Sequence, residues 1–193
     1  MEETFFGSLT SLLWVVIVLA AAVLVSALVM YVLRAENATK PTRREQVLFV
    51  LAGLLAVVFG VLIEVLEGPL VGNFVSSETM VQEELVGKFT TWAQICLGTS
   101  VALVCAWFLR GKLAALSKPG HGNLQLSWVG FLIPVAIVWL LSLFMLPKAD
   151  GAWLMYLFTA FNSIGFYWIA TALFSPSAFK YNPLGARSVR RWW

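Results

Sequence analysis

Histidine occurs once in this chain of 193 residues, cysteine twice, and charged residues make up only 12% of it. Each scarcity removes a class of chemistry. A single histidine, His121 in the turn "PGHGN", excludes bis-histidine haem ligation and two- or three-histidine metal sites. Cys96 and Cys105 fall nine residues apart in one apolar stretch. On a helix they point in opposite directions, so neither a disulfide framework nor a cysteine metal pair follows. Phosphate-cradling glycine patterns and the nucleophile elbow G-x-S-x-G are missing as well. The chain supplies no catalytic constellation and no haem or metal ligand set of its own.

The lack of charge excludes an ordinary soluble domain, in which roughly a quarter of residues are charged. Here 60% are hydrophobic and the mean hydropathy is +0.86. One core of this size cannot hide that much apolar surface, so lipid is the expected solvent. The expected architecture is all-α: a single integral membrane domain over residues 1–193, built as a bundle of five transmembrane helices. A bilayer core takes about 20 helical residues. Apolar stretches of that length lie near residues 9–33, 46–67, 89–109, 124–146 and 151–174. The second is uncharged only to Ile63 and reaches full length by taking in Glu64 and Glu67. The first follows Glu2 and Glu3 rather than a basic segment, and its apolar run exceeds a signal-peptide core, so it reads as a retained helix.

Charge sets the expected orientation. All of the 13 basic residues except Lys88 and Lys148 fall in the loops after the first and third spans or in the tail 175–193. Positive-inside bias then puts the amino terminus outside and the carboxyl terminus in the cytoplasm of a bacterial or archaeal membrane or an organellar inner membrane. The pI of 9.0 reflects basic residues at helix ends, where they meet anionic headgroups, so no nucleic-acid partner is expected. The tail "ARSVRRWW" alternates cations with indoles. Arg187, Arg190, Arg191, Trp192 and Trp193 suit docking on lipid or on a partner subunit. Trp14, Trp92, Trp107, Trp128 and Trp153 lie near span ends and read as an interfacial belt. The connection 68–88 reads as a loop carrying a short interfacial helix capped by Ser76 or Ser77.

Few polar residues enter the spans. Glu64 and Glu67, at i,i+3, share one face of the second helix. Glu64 lies 19 residues beyond Glu45, about 28 Å of helix, near the outer edge of a core of about 30 Å. The pair therefore reads first as a helix exit, and second as an ion or proton contact together with Gln94 and Asn162. Asn162 and Ser163 fall at mid-depth, where an unpaired amide is costly, so they are expected to face another helix. Pro134 interrupts the fourth span and reads as a packing kink.

Two functions compete on these residues. The preferred expectation is a non-catalytic subunit of a larger respiratory, photosynthetic or membrane-oxidase assembly, with other membrane subunits as partners and bound lipid. The alternative is a small homo-oligomeric channel or transporter using Glu64 and Glu67. It requires spans two, three and five to converge, with Glu64, Glu67, Gln94 and Asn162 near a path along which the polar residues line a continuous route. The lack of a mid-membrane charge or an internal repeat counts against it. A membrane-embedded enzyme ranks below both.

Overall fold

The computed structural model describes residues 43–76, 81–117, 121–175 and 183. Among these the regular elements are all helical: α1 (Arg43–Leu62), α2 (Gly68–Phe74), α3 (Gln82–Ser117), α4 (His121–Met145), α5 (Trp153–Ala160) and α6 (Phe166–Phe174). Two π-helical turns, Ile63–Glu67 and Phe161–Gly165, join α1 to α2 and α5 to α6. Four continuous helices are thus long and apolar enough to cross a membrane: Gln46–Phe74, Gln82–Arg110, Gln125–Met145 and Trp153–Phe174. They make this an integral membrane protein by length and composition. The expected first span, 9–33, and the tail residues Arg187, Arg190, Arg191, Trp192 and Trp193 lie outside the described residues, as do Trp14 and Lys118.

The second expected span is corrected most. It does not stop at Glu67 but runs seven residues further, to Phe74. Pro69 follows directly on the widened turn, in the first turn of α2, and within the continuous helix it leaves one main-chain carbonyl without its N–H partner. The preceding turn widens so that the Gly68 N–H bonds the Ile63 carbonyl, five residues back. Gly68 is needed for what it lacks: an added Cβ would lie 3.3 Å from the Ile63 oxygen and 3.4 Å from Thr90 Cγ2.

Among the described residues the expected interfacial helix is not a separate element, and residues 77–80 of it lie outside them. Gln82 opens α3, which continues unbroken for 36 residues, so Leu85 belongs to its first turn and is fully buried. Gln82 itself closes the end of α2, its side-chain amide donating to the carbonyl of Gly72 and, at 3.2 Å, to that of Val75. Carbonyls in a last helical turn have no partner within the helix. A two-bond β-bridge between Ser76 and Asp150 (3.1 and 3.0 Å) ties this loop to the one before α5.

Helix α3 is the axis of the bundle and packs against every other described element. Its inward side is buried at Phe89, Ala93, Cys96, Ser100, Val104 and Trp107. Positions 89, 93, 96, 100, 104 and 107 step by three or four, the period of one helical face. Helix α4 sits at the periphery and passes through Pro134 without a break. It exposes Val129, Ile133, Ile137, Leu140, Leu141 and Phe144, a side fit for lipid.

The aromatic belt needs correcting at two places. Trp107 and Trp128 are fully buried. The Trp107 Nε1 donates to Ser175 Oγ at 2.7 Å, and the Trp128 Nε1 to Thr171 Oγ1 at 2.9 Å. Tyr167, also buried, donates its hydroxyl to the Trp128 carbonyl at 3.1 Å. These bonds lock α3, α4 and α6 together at the Arg110 end. Trp153 alone among the fully characterised belt positions is largely exposed.

Gly151 turns the chain into α5 with φ +79°, and a Cβ there would approach the Phe74 carbonyl to 2.6 Å. Gly151→Ala is expected to lower the thermal midpoint in detergent, with about 1–2 kcal/mol from the left-handed backbone alone and more from the contact. Gly130→Ala has nothing within 4 Å to disturb and should leave the midpoint unchanged or raised. Equal midpoints for the two variants would contradict the placement of the turn.

Candidate functional site: a carboxylate pair between two widened helical turns

Both glutamates singled out in the sequence sit on the first π-helical turn, and both mid-depth polar residues of the last span sit on the second. A π turn carries one more residue than an α turn over the same rise, so it swings side chains out of the regular spiral. Here that places Glu67 on the inner side, 3% exposed, opposite the fully buried Asn162. The Asn162 Nδ2 donates to Glu67 Oε2 at 2.6 Å. Glu64 remains half-buried and accepts a hydrogen bond from the Gln94 side chain of α3. The structure therefore brings Glu64 to Gln94 and Glu67 to Asn162, two contacts through which three spans meet.

Depth follows from the helix ends. Glu67 lies seven residues before the end of α2, about 10 Å of helix, and Asn162 nine residues into the last span, about 13 Å. Both are buried within helices long and apolar enough to cross a membrane.

The turns are pinned from the sides. Phe59 of α1 stacks on Phe161 with centroids 5.0 Å apart, and meets the edge of Phe166 at 5.2 Å. On the α3 side, Ser100 Oγ lies 3.0 Å from the Ser163 carbonyl of the second wide turn and 2.9 Å from the Cys96 carbonyl of its own helix, its one hydrogen shared between the two acceptors. Ser163 Oγ in turn donates to the Thr159 carbonyl at 2.7 Å. Ser100, Thr159 and Ser163 are all fully buried.

One polar atom is left over. Asn162 Oδ1 is buried and has no hydrogen-bond partner among the described residues. Glu67 has no cationic partner among them either. The ion pair found there, Lys88 with Glu84 at 2.9 Å, lies on the exposed first turns of α3. Those turns border an open cleft lined by Glu84, Gly87, Lys88, Thr90, Thr91, Trp92 and Gln94. Gln94, the donor to Glu64, is its innermost member in sequence.

Among the described residues no group of three His, Cys, Asp or Glu side chains gathers as a metal site. The two π turns, and the contact of Ser100 with the Ser163 main chain, went unnoticed in the sequence. A glycine closing "FNSIG" and the "EGP" at the other turn are the signals that were available.

A stability measurement tests the ranking of the two contacts. Hydrogen bonds between membrane helices average about 0.6 kcal/mol and reach about 1.7. A double-mutant cycle of Glu67→Ala with Asn162→Ala, read by unfolding in mixed micelles, should give coupling at the upper end. The half-buried Glu64–Gln94 pair should give coupling at or below the average. A reversed order would contradict the burial of Glu67. Comparison with known protein families, curated proteins and solved structures finds no match to this chain, so the reading of the site rests on its own geometry.

Proposed function

We propose that this chain moves a proton or small cation across a membrane through a site built on Glu67 and Asn162, with Glu64 and Gln94 beside it. The observation that carries the reading is Glu67 itself, a carboxyl side chain turned into the bundle and met by an amide from another span. An ionisable residue inside a membrane bundle is by default a functional site, because lipid makes it costly to keep for packing alone. The transport alternative required spans two, three and five to converge. Glu64–Gln94 and Glu67–Asn162 are contacts between those spans. All four residues belong to one chain, which favours a carrier within the protomer over a pore between copies.

The same proposal includes five spans, with residues 9–33 as the first, and an outside amino terminus. The basic loops and tail support it. On that orientation the Ser76–Asp150 end faces outward, and the site lies in the outer half of its spans. A bacterial or archaeal cytoplasmic membrane, or an organellar inner membrane, suits this arrangement.

The accessory-subunit reading stands second. It is favoured by the peripheral α4, whose apolar side suits a neighbouring subunit as well as lipid, and by the basic and aromatic tail. Mild-detergent extraction with mass and absorption read together would support it if unrelated subunits co-purify in fixed ratio.

Flux in liposomes tests the first reading. Purified protein with an entrapped pH-sensitive dye, or a sodium-sensitive one, should dissipate an imposed gradient. Glu67→Gln should slow this by about tenfold or more, a barrier change of about 1.4 kcal/mol, and Glu64→Gln by less. A wild-type rate equal to that of empty liposomes for both ions would sink the proposal.

A further inference from the structure

Resting on the proton-or-cation reading above, we infer that the ligand of the Glu67–Asn162 site is a proton, held as a carboxylic acid–amide pair, and not a metal ion. The argument is a count of donors and acceptors. An ionised carboxylate only accepts, whereas an amide offers two donors and one acceptor. The Asn162 Nδ2 donates to Glu67 Oε2, which leaves Asn162 Oδ1 buried and without a donor. A proton on the other Glu67 oxygen supplies the missing donor. The acid O–H then points at Oδ1 while Nδ2 points at the acid carbonyl, and the pair closes on itself with two hydrogen bonds. The loading step is simple: hydronium from the outer side gives its proton to the carboxylate and leaves as water.

A metal ion fits less well. Hard cations such as calcium and magnesium take six or more oxygen ligands. Around this pair the neighbouring oxygens already have hydrogen-bond partners. The Ile63 carbonyl accepts from Gly68 N–H, the Ser163 carbonyl from Ser100, and the Thr159 carbonyl from Ser163. Thr90 donates its hydroxyl to the Gly87 carbonyl at 3.1 Å. The pair itself offers one carboxyl group and one amide oxygen without a donor, enough for a proton and fewer than the six oxygens such a cation takes.

Among the described residues, the titratable groups on the packed elements give Glu67 no ion-pair partner of opposite sign. Glu64 shares its turn and is bonded to Gln94; Cys96 of α3 and Tyr167 of α6 are buried, the latter bonded to Trp128. Glu84 and Lys88 pair with each other at the rim.

Infrared difference spectroscopy on the reconstituted full chain reads the proton directly. At neutral pH the wild type should show the C=O stretch of a protonated carboxylic acid, moved by exchange into heavy water. Glu67→Gln should abolish the band and Glu64→Gln should keep it. Asn162→Thr should shift its frequency, which serves as the test even if Glu67→Gln does not fold. Absence of any acid band, or a band lost with Glu64→Gln and retained with Glu67→Gln, would overturn the inference. A carboxylate band that answers to sodium, together with sodium flux in the liposome assay, would overturn the proton assignment and leave the cation-transport reading intact. An acid band without flux of either ion would do the reverse.

Discussion

A carboxyl group kept away from water inside an apolar bundle has to be met by another polar group, and most of this architecture follows from meeting one. Glu67 is that group. Its partner Asn162 comes from the far end of the chain, so the bond fixes the register of the span Gln46–Phe74 against the span Trp153–Phe174. Regular helices would have aimed both side chains differently. The two widened turns bring them face to face, and Gly68 and Pro69 make the first of these turns possible. Helix α3 then fills the space between, with Gln94 on Glu64 and Ser100 on the main chain of the second turn.

The two halves of the bundle use polarity differently. At the Arg110 end, Trp107, Trp128, Tyr167, Thr171 and Ser175 form a fully buried set in which indole and phenol donors find oxygen acceptors. Aromatic rings with one polar handle pack as apolar mass and still fix orientation. Closer to the Ser76 end the polar groups are carboxyls and amides, and one acceptor there is left over. A fully paired network stiffens a bundle, while an unpaired buried acceptor calls for an explanation of its own. The difference in hydrogen-bond balance, more than the number of polar residues, separates scaffold from site.

Much of the frame was legible in the sequence because lipid imposes simple rules. Long uncharged runs located the four helices that the structure describes, and the need to pair an amide at mid-depth foretold that Asn162 and Ser163 face inward. The misreadings share one cause. Glu67, Trp107 and Trp128 were read as boundary residues from their distance to span ends, yet depth along a helix says nothing about the direction a side chain takes around it. A belt tryptophan and a buried one have the same position in the sequence. The start of the connection 68–88 was misjudged for a related reason, since Glu64 and Glu67 looked like an exit into water while the helix that carries them continues to Phe74.

What the sequence determined by itself is the solvent. Its composition leaves no way to fold except as apolar helices in lipid, because such surface has no other favourable place to go. What only the tertiary structure decided is which polar residues are partners. The choice of Asn162 for Glu67, and of Gln94 for Glu64, depends on two wide turns that rotate the helix faces by a fraction of a turn. Residues 95 apart in the chain are paired by that rotation alone.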